Sequence, residues 1–269
     1  MVSSAAPAIA SETSPLLEVR GLTKRYSGLV ALSDYSLSLS SGTIHGVIGP
    51  NGAGKTTLFN LLSGMVRPSA GTIHLGGSDV THLPAYRVAR LGIARTFQNI
   101  RVFGDMSVID NVKVAVQRRL PGSFLSTVLT AGSFRQRERQ IEERAAQLLE
   151  LVGLGDRRGL IARSLAYGDQ RRLEIARAVA VDPKILLLDE PNAGMNPAET
   201  GELLGLIRRL RDHRGITIIL VAHDIPLVMN LCDRIQVLNY GVLIADGQPA
   251  AVRVDPDVIA AYLGQAKHA

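Results

Sequence analysis

The sequence predicts an α/β protein built on a parallel sheet, with an antiparallel β layer at its start and a helical insertion in its middle. Three observations carry that expectation. In the C-terminal third, apolar runs of strand length alternate with helical segments, at 185–188, 197–211, 216–221, 225–231 and 235–238. Alternation of this kind produces right-handed βαβ units and a parallel sheet. Short β-type segments come first, at 16–19, 35–39, 44–48 and 72–75, and between the two regions helical patterns cover 56–65 and then 84 to about 163.

Each element has a local reason. The apolar runs 185–188 and 216–222 are short, continuous and mostly Ile, Leu and Val, as strands buried on both faces are. No run approaches the roughly 18 consecutive apolar residues of a membrane-spanning helix, so this chain is not expected to form a channel itself. Residues 1–14, rich in Ala and Ser and without Lys or Arg, lack the basic start and apolar centre of a secretory leader. They are expected to form a disordered tail ahead of one domain over 15–265. Pro121-Gly122-Ser123 marks a loop inside the insertion rather than a domain linker. Cys232 is the only cysteine, which leaves no disulfide framework or thiolate metal cluster, and the six histidines include no H-x-x-x-H pair. Together these features suggest the cytoplasm. The net charge of +6 suits a phosphate ligand, an anionic membrane face or nucleic acid, and decides among none of them.

The strand 44–48 runs into Gly49-Pro50-Asn51-Gly52-Ala53-Gly54-Lys55-Thr56-Thr57, and a helix follows. Strand, glycine loop and helix in that order make a phosphate loop. Glycines let the backbone curl so that successive N–H groups point inward at phosphate oxygens, and the helix start adds its own N–H groups. Lys55 would meet the β- and γ-phosphates, and the Thr56 hydroxyl a Mg²⁺ ion. A plain glycine-rich turn with a solvated lysine is the alternative. From average residue usage this pattern arises by chance on the order of once in a hundred chains of this length.

A second candidate lies at the end of the strand 185–188, where Asp189 and Glu190 follow directly. Ligands of open parallel sheets gather at the carboxyl ends of the strands. Asp189 is placed to reach the metal, and Glu190 to polarise an attacking water as general base. Alone, the pair would read as a solvated strand end; beside a phosphate loop on the same sheet it reads as catalytic. The strand 216–221 delivers His223 to that edge as a candidate γ-phosphate contact.

With these residues in place the sequence resembles the ATP-binding-cassette family. Leu165-Ala166-Tyr167-Gly168-Asp169-Gln170, followed by Arg171-Arg172-Leu173-Glu174-Ile175-Ala176-Arg177, stands where the family signature L-S-G-G-Q does, about twenty residues before Asp189. The resemblance implies a P-loop ATPase core with a parallel sheet, an N-terminal antiparallel β subdomain, and an inserted α-helical signature subdomain over about 96–180. It implies that Tyr26 stacks on adenine (a packed aromatic is the alternative), and that Gln98 reaches the Mg²⁺ and γ-phosphate. It further implies that Leu165, Ala166, Tyr167, Gly168 and Asp169 meet the ATP of a partner, that the loop Ala193-Gly194-Met195-Asn196 crosses to that partner, and that His223 is the switch histidine. The cofactors implied are ATP and Mg²⁺.

Within the family, the segment from Arg95 to Phe103, the insertion through Arg139, the Leu-Ala-Tyr-Gly signature and the ending Asp257-Val258-Ile259-Ala260-Ala261-Tyr262-Leu263-Gly264 resemble the ATPases of branched-chain amino acid importers. Similar ATPases serve urea, amide and aromatic-acid importers. That resemblance implies a second ATPase as dimer partner, two transmembrane permeases, a periplasmic binding protein acting indirectly, and a place on the inner face of the bacterial membrane. Segment 98–103 with 106–108 is the expected permease contact, carried by the apolar trio Ile100, Val102 and Phe103; internal packing of these residues is the alternative. An ATPase of a lipid or lipopolysaccharide exporter, or one acting on nucleic acid, is the competing reading. The insertion 118–139 speaks against the first. The absence of a long coiled-coil interruption or a second cassette speaks against the second, so no nucleic acid is expected as partner. Two residues depart from the broad pattern. Ala166 removes the signature hydroxyl and Asn196 a carboxylate, so the two ATP sites of a dimer are expected to work but to differ.

Overall fold

A computed structural model describes residues 15–118 and 131–263. The expected tail 1–14, the loop 121–123 with most of the insertion around it, and the chain after 263 lie outside the described residues.

Two sheets form the frame. The first is antiparallel, in the order β2-β1-β4-β5, from β1 (Leu17–Tyr26), β2 (Leu29–Leu39), β4 (Ala70–Leu75) and β5 (Ser78–Asp79). The second runs β10-β9-β3-β8-β7-β6, from β3 (Ile44–Ile48), β6 (Ile93–Arg95), β7 (Ile185–Asp189), β8 (Thr217–Val221), β9 (Arg234–Asn239) and β10 (Val242–Gly247). Its strands are parallel except β10, which turns back antiparallel on β9.

Every residue of β3, β7 and β8 is buried, because both faces of this sheet are covered. The two-residue period of a strand divides their side chains between two cores. Ile44, Ile48, Leu186, Leu188, Ile218 and Leu220 face the helices α3 (Val108–Gln117), α5 (Tyr167–Val179), α6 (Pro197–Arg214) and α7 (Ile225–Leu231). Val47, Ile185, Leu187, Ile219 and Val221 face α1 (Lys55–Leu62) and the antiparallel sheet. The remaining helices are α2 (Ala85–Leu91), α4 (Ala131–Leu151), α8 (Pro249–Val252) and α9 (Pro256–Leu263). No helix among the described residues is long and apolar enough to cross a membrane.

Helix boundaries follow local chemistry. Ser107 and Asp224 accept from backbone N–H groups at the starts of α3 and α7. Asn196 and Glu199 form a reciprocal capping box at the start of α6. Several elements depart from the sequence reading. β6 falls where helix was expected; at three residues it is too short to show a period, and Gly92 ends α2 just before it in a left-handed conformation. β1 and β2 are far longer than the segments 16–19 and 35–39, because bulges interrupt their alternation. β10 was not anticipated, and α1 stops at Leu62 rather than 65.

Candidate functional site

The loop after β3 is held in place from behind. Gly49 has φ 151°, and a Cβ there would lie 2.1 Å from the Leu238 carbonyl oxygen of β9, so no side chain fits. The turn between β9 and β10 donates the Gly241 N–H to the Ala53 carbonyl at 3.0 Å. On the other flank, a Cβ on Gly54 would lie 2.7 Å from the Ala31 carbonyl oxygen of β2. The loop is therefore walled by both sheets. Lys55 is 8% exposed, and its ammonium donates to the Gly49 and Pro50 carbonyls at 2.6 and 2.9 Å, at the centre of the loop. Burial lowers its pKa, and the carboxylates of Glu190 and Asp189 act against that shift. Asn51, Gly52 and Thr56 are exposed, Thr57 half-buried, and Pro50 and Ala53 buried. Tyr26, at the tip of the β1–β2 hairpin, is 42% exposed and so is not packed into the core; the Lys24 ammonium lies 4.9 Å from its ring centroid.

The end of β7 brings the acidic pair to the same edge. Asp189 is buried and accepts from Arg95 Nη2 at 2.8 Å. Arg95, at the end of β6, also donates to Asn60 Oδ1 of α1 at 2.7 Å and lies between the Phe59 and Phe97 rings. Glu190 has φ 46°, a left-handed conformation that costs a non-glycine residue of order 1 kcal/mol or more. Its N–H still pairs with the Val221 carbonyl at 2.9 Å, which extends the β7–β8 ladder and fixes where the carboxylate emerges. Two further candidates converge on one carboxylate oxygen. Gln98 Nε2 donates to Glu190 Oε2 at 3.3 Å, and His223 Nδ1, on an exposed side chain, lies 3.7 Å from it. Lys55, Asp189, Glu190, Gln98 and His223 thus share one edge of the sheet.

The signature residues occupy the start of α5. Leu165 is buried, and Ala166 is the N-cap, with no side chain to accept from the helix. Tyr167 is 45% exposed, and its ring lies against Gly194 of the crossing loop, 3.3 Å from where a Cβ would stand. A Cβ on Gly168 would be 3.0 Å from Glu199 Oε1. Asp169 is turned inward, ion-paired with Arg172 at 2.5 Å and with Arg157, so its carboxylate is committed within the chain. Asn196, the other departure, caps α6: its side chain accepts from the Glu199 N–H at 3.0 Å, and its own N–H donates to Glu199 at 2.9 Å. Asn caps a helix as well as Asp does, so this exchange leaves the helix intact.

Of the apolar trio expected at a docking surface, Phe103 is exposed, whereas Val102 packs against the core and Ile100 is half-buried; Val108 is fully buried at the start of α3. Leu160 and Ile161 are exposed beside them, in a segment joined to 104–109 by backbone hydrogen bonds. Sequence reasoning missed this second segment. It also missed Arg95, whose partner Asp189 comes within reach only once β6 pairs with β7.

A phosphate loop, an acidic strand end and a helix-borne signature on one α/β frame define a nucleotide-binding cassette, and the comparisons agree. The family model "ABC transporter" matches residues 32–193. The chain belongs to that family. A second model, "Branched-chain amino acid ATP-binding cassette transporter", matches residues 242–268. The high-affinity branched-chain amino acid transport ATP-binding protein LivG of Escherichia coli (strain K12) is 49% identical over 252 residues, covering 94% of this chain and 99% of that protein. BraF of Pseudomonas aeruginosa, named in the same terms, is 47% identical over the same lengths. The ADP conformation of MJ1267, an ATP-binding cassette of an ABC transporter, superposes with a TM-score of 0.81 at 28% identity, covering 94% of this chain and all of that one.

Proposed function

We propose that this chain is the ATP-hydrolysing subunit of an importer for branched-chain amino acids or related small polar solutes. One observation carries the chemistry: Lys55, Asp189, Glu190, Gln98 and His223 lie together at the carboxyl edge of β3, β7 and β8. The match over 242–268 supports the substrate class. The helical part, about 96–180, is read as one subdomain of a nucleotide-binding unit spanning 15–265.

In this reading the loop N–H groups and Lys55 bind the β- and γ-phosphates. Glu190 takes the proton of the attacking water, and His223 and Gln98 hold the γ-phosphate and Glu190 in register. Tyr26 offers its exposed face to adenine. A Mg²⁺ ion fits the donor set: Thr56, Gln98 and Asp189 offer few protein ligands, all of them hard oxygen atoms. That is the pattern of a phosphate-borne ion, which keeps several waters and takes few protein ligands. Mg²⁺ would supply charge neutralisation between the phosphates, with Asp189 acting through water.

The remaining partners follow from the family. Ala166, Tyr167 and Gly168 face the ATP of a second ATPase subunit, with backbone N–H groups at the start of α5 serving that role despite the missing hydroxyl. The expected side-chain contacts of Leu165 and Asp169 are given up because both are turned into the chain. Phe103, Leu160 and Ile161 form the apolar face for the two transmembrane permeases, and in this reading the chain sits at the inner membrane surface beneath a periplasmic binding protein. Co-expression with candidate transmembrane permease subunits, followed by ATPase assay and by cross-linking from positions next to Phe103, tests this. ATP turnover with cross-links to a permease is expected. A chain that hydrolyses ATP but neither co-purifies with nor cross-links to a permease would remove the importer assignment.

Ala166→Ser has two expected effects. A serine N-cap adds about 1 kcal/mol to α5, which raises the unfolding midpoint by roughly 2–4 °C in a domain of this size. A hydroxyl offered to the partner's charged γ-phosphate adds about 1.5–3 kcal/mol, so ATP-driven dimerisation should tighten by up to roughly a hundredfold. Melting curves and nucleotide-dependent sizing read these effects separately. A higher midpoint with unchanged dimerisation would show that the serine only caps the helix.

A further inference from the structure

Helix α5 carries the signature at its start and, less than two turns further in, a buried ion pair that the chemistry above does not use. Arg171 is fully buried. Its Nη1 donates to the Phe97 carbonyl at 2.6 Å and to Glu174 Oε2 at 2.8 Å, and its Nη2 donates to the Gln98 carbonyl at 2.8 Å. Glu174, also buried, returns to the same strand of chain: its Oε1 accepts from the Phe97 N–H at 3.2 Å. Arg177 donates to the Arg101 carbonyl and lies 4.4 Å from the Phe103 ring centroid. Residues 97–98 are thus bonded through both carbonyls and one N–H to a single turn of the signature helix.

An ion pair held this deep gains less from its own attraction than it loses in desolvation, unless the surrounding hydrogen bonds are good. Burial pushes the Glu174 carboxyl upward, with Arg171 pulling it back. The pair therefore adds little as a bare contact, and its remaining valences go to the backbone of 97–98. The side chain carried by that backbone is Gln98, which donates to Glu190 Oε2 at 3.3 Å. A guanidinium fork can meet two carbonyls and a carboxylate at once, whereas a lysine ammonium is a point charge.

We infer that Arg171 and Glu174 are positioning residues for Gln98, fastening its backbone to the signature helix. The segment that faces a partner's nucleotide and the glutamine that faces the chain's own nucleotide then move as one piece. The inference rests on the ATPase reading of the site.

The test uses the full chain and measures kcat and KM for ATP. Arg171→Lys keeps the buried charge but not the fork, and is expected to lower kcat about tenfold with KM little changed, as for an interaction made mainly in the transition state. Arg171→Met with Glu174→Leu replaces the pair by apolar groups of similar volume, which commonly preserves or raises stability. This double variant is expected to stay folded and to remain slow. If the pair served packing alone, the apolar replacement would restore turnover, and that result overturns the inference. In a Gln98→Ala chain, Arg171→Lys should change kcat less than about twofold, because residues acting through one group are not additive. An undiminished tenfold loss in that background would place Arg171 on some other path, and also overturns it. Should the double variant fail to fold, Arg171→Lys in the two backgrounds still decides. A parent chain with no ATP turnover above Lys55→Ala sinks the ATPase reading and this inference with it; a parent that turns over while Arg171→Lys matches it sinks the inference alone.

Discussion

Replacing Glu190 with glutamine is expected to cut ATP turnover by about a hundredfold or more, the usual loss when a general base is removed, while nucleotide affinity stays at the parent level. The exchange is nearly isosteric. It keeps the backbone conformation at φ 46°, the N–H bond to the Val221 carbonyl and the neighbouring Gln98 and His223. What is lost is the carboxylate charge and, with it, the capacity to take a proton from water. Bound ATP should then persist, and with it whatever closed dimer ATP supports. Phosphate release measured beside a nucleotide-binding titration separates the two quantities. Turnover near the parent rate would reject Glu190 as the base and turn attention to His223, the other titratable side chain at that carboxylate.

Lys55→Ala acts one step earlier, and binding itself should fail. A hydrogen bond to a charged group contributes about 1.5–3 kcal/mol, so losing the contacts to two phosphates costs roughly 3 kcal/mol or more, about a hundredfold in affinity. The same ammonium donates to the Gly49 and Pro50 carbonyls inside the loop, so its removal also loosens the cradle. Calorimetric titration with ATP reads the loss directly. An affinity equal to the parent's would contradict the role given to Lys55, and a loss of turnover alone would move the lysine from binding to catalysis.

How much of this was legible in the sequence depends on the range over which each feature is encoded. The loop Gly49–Thr57 and the pair Asp189-Glu190 are contiguous words, each next to its own strand, and neighbouring residues alone announce them. The buried strands β7 and β8 were equally plain, because continuous apolar runs need no partner to be recognised. Legibility failed where meaning is tertiary. β6 is three residues long and is a strand only because β7 lies beside it. Arg95 is one arginine among many until that pairing sets it 2.8 Å from Asp189. Asp169 belongs to the signature by position; Arg172 is its i+3 neighbour on the helix, but Arg157, which joins in drawing its carboxylate inward, comes from outside that helix. The outward face of Val102 and Val108 was misjudged for the same reason, since the helices that cover them are separated from them in sequence.

The walls around the phosphate loop also set an order of events during synthesis. The loop is encoded near the start of the chain, but β3 lies between β8 and β9, and Gly241 supports Ala53 from about 190 residues downstream. Contacts this far apart in sequence are slow to form and cannot form before both ends exist. A nascent chain therefore displays its nucleotide motif long before it can hold a nucleotide, and ribosome-bound chains halted ahead of residue 217 should retain none. Competence to bind ATP arrives only after β8 and β9 have been made. Until then the strand that leads into the loop has neither of its two sheet neighbours, and its backbone donors and acceptors stand open to any other strand that meets them.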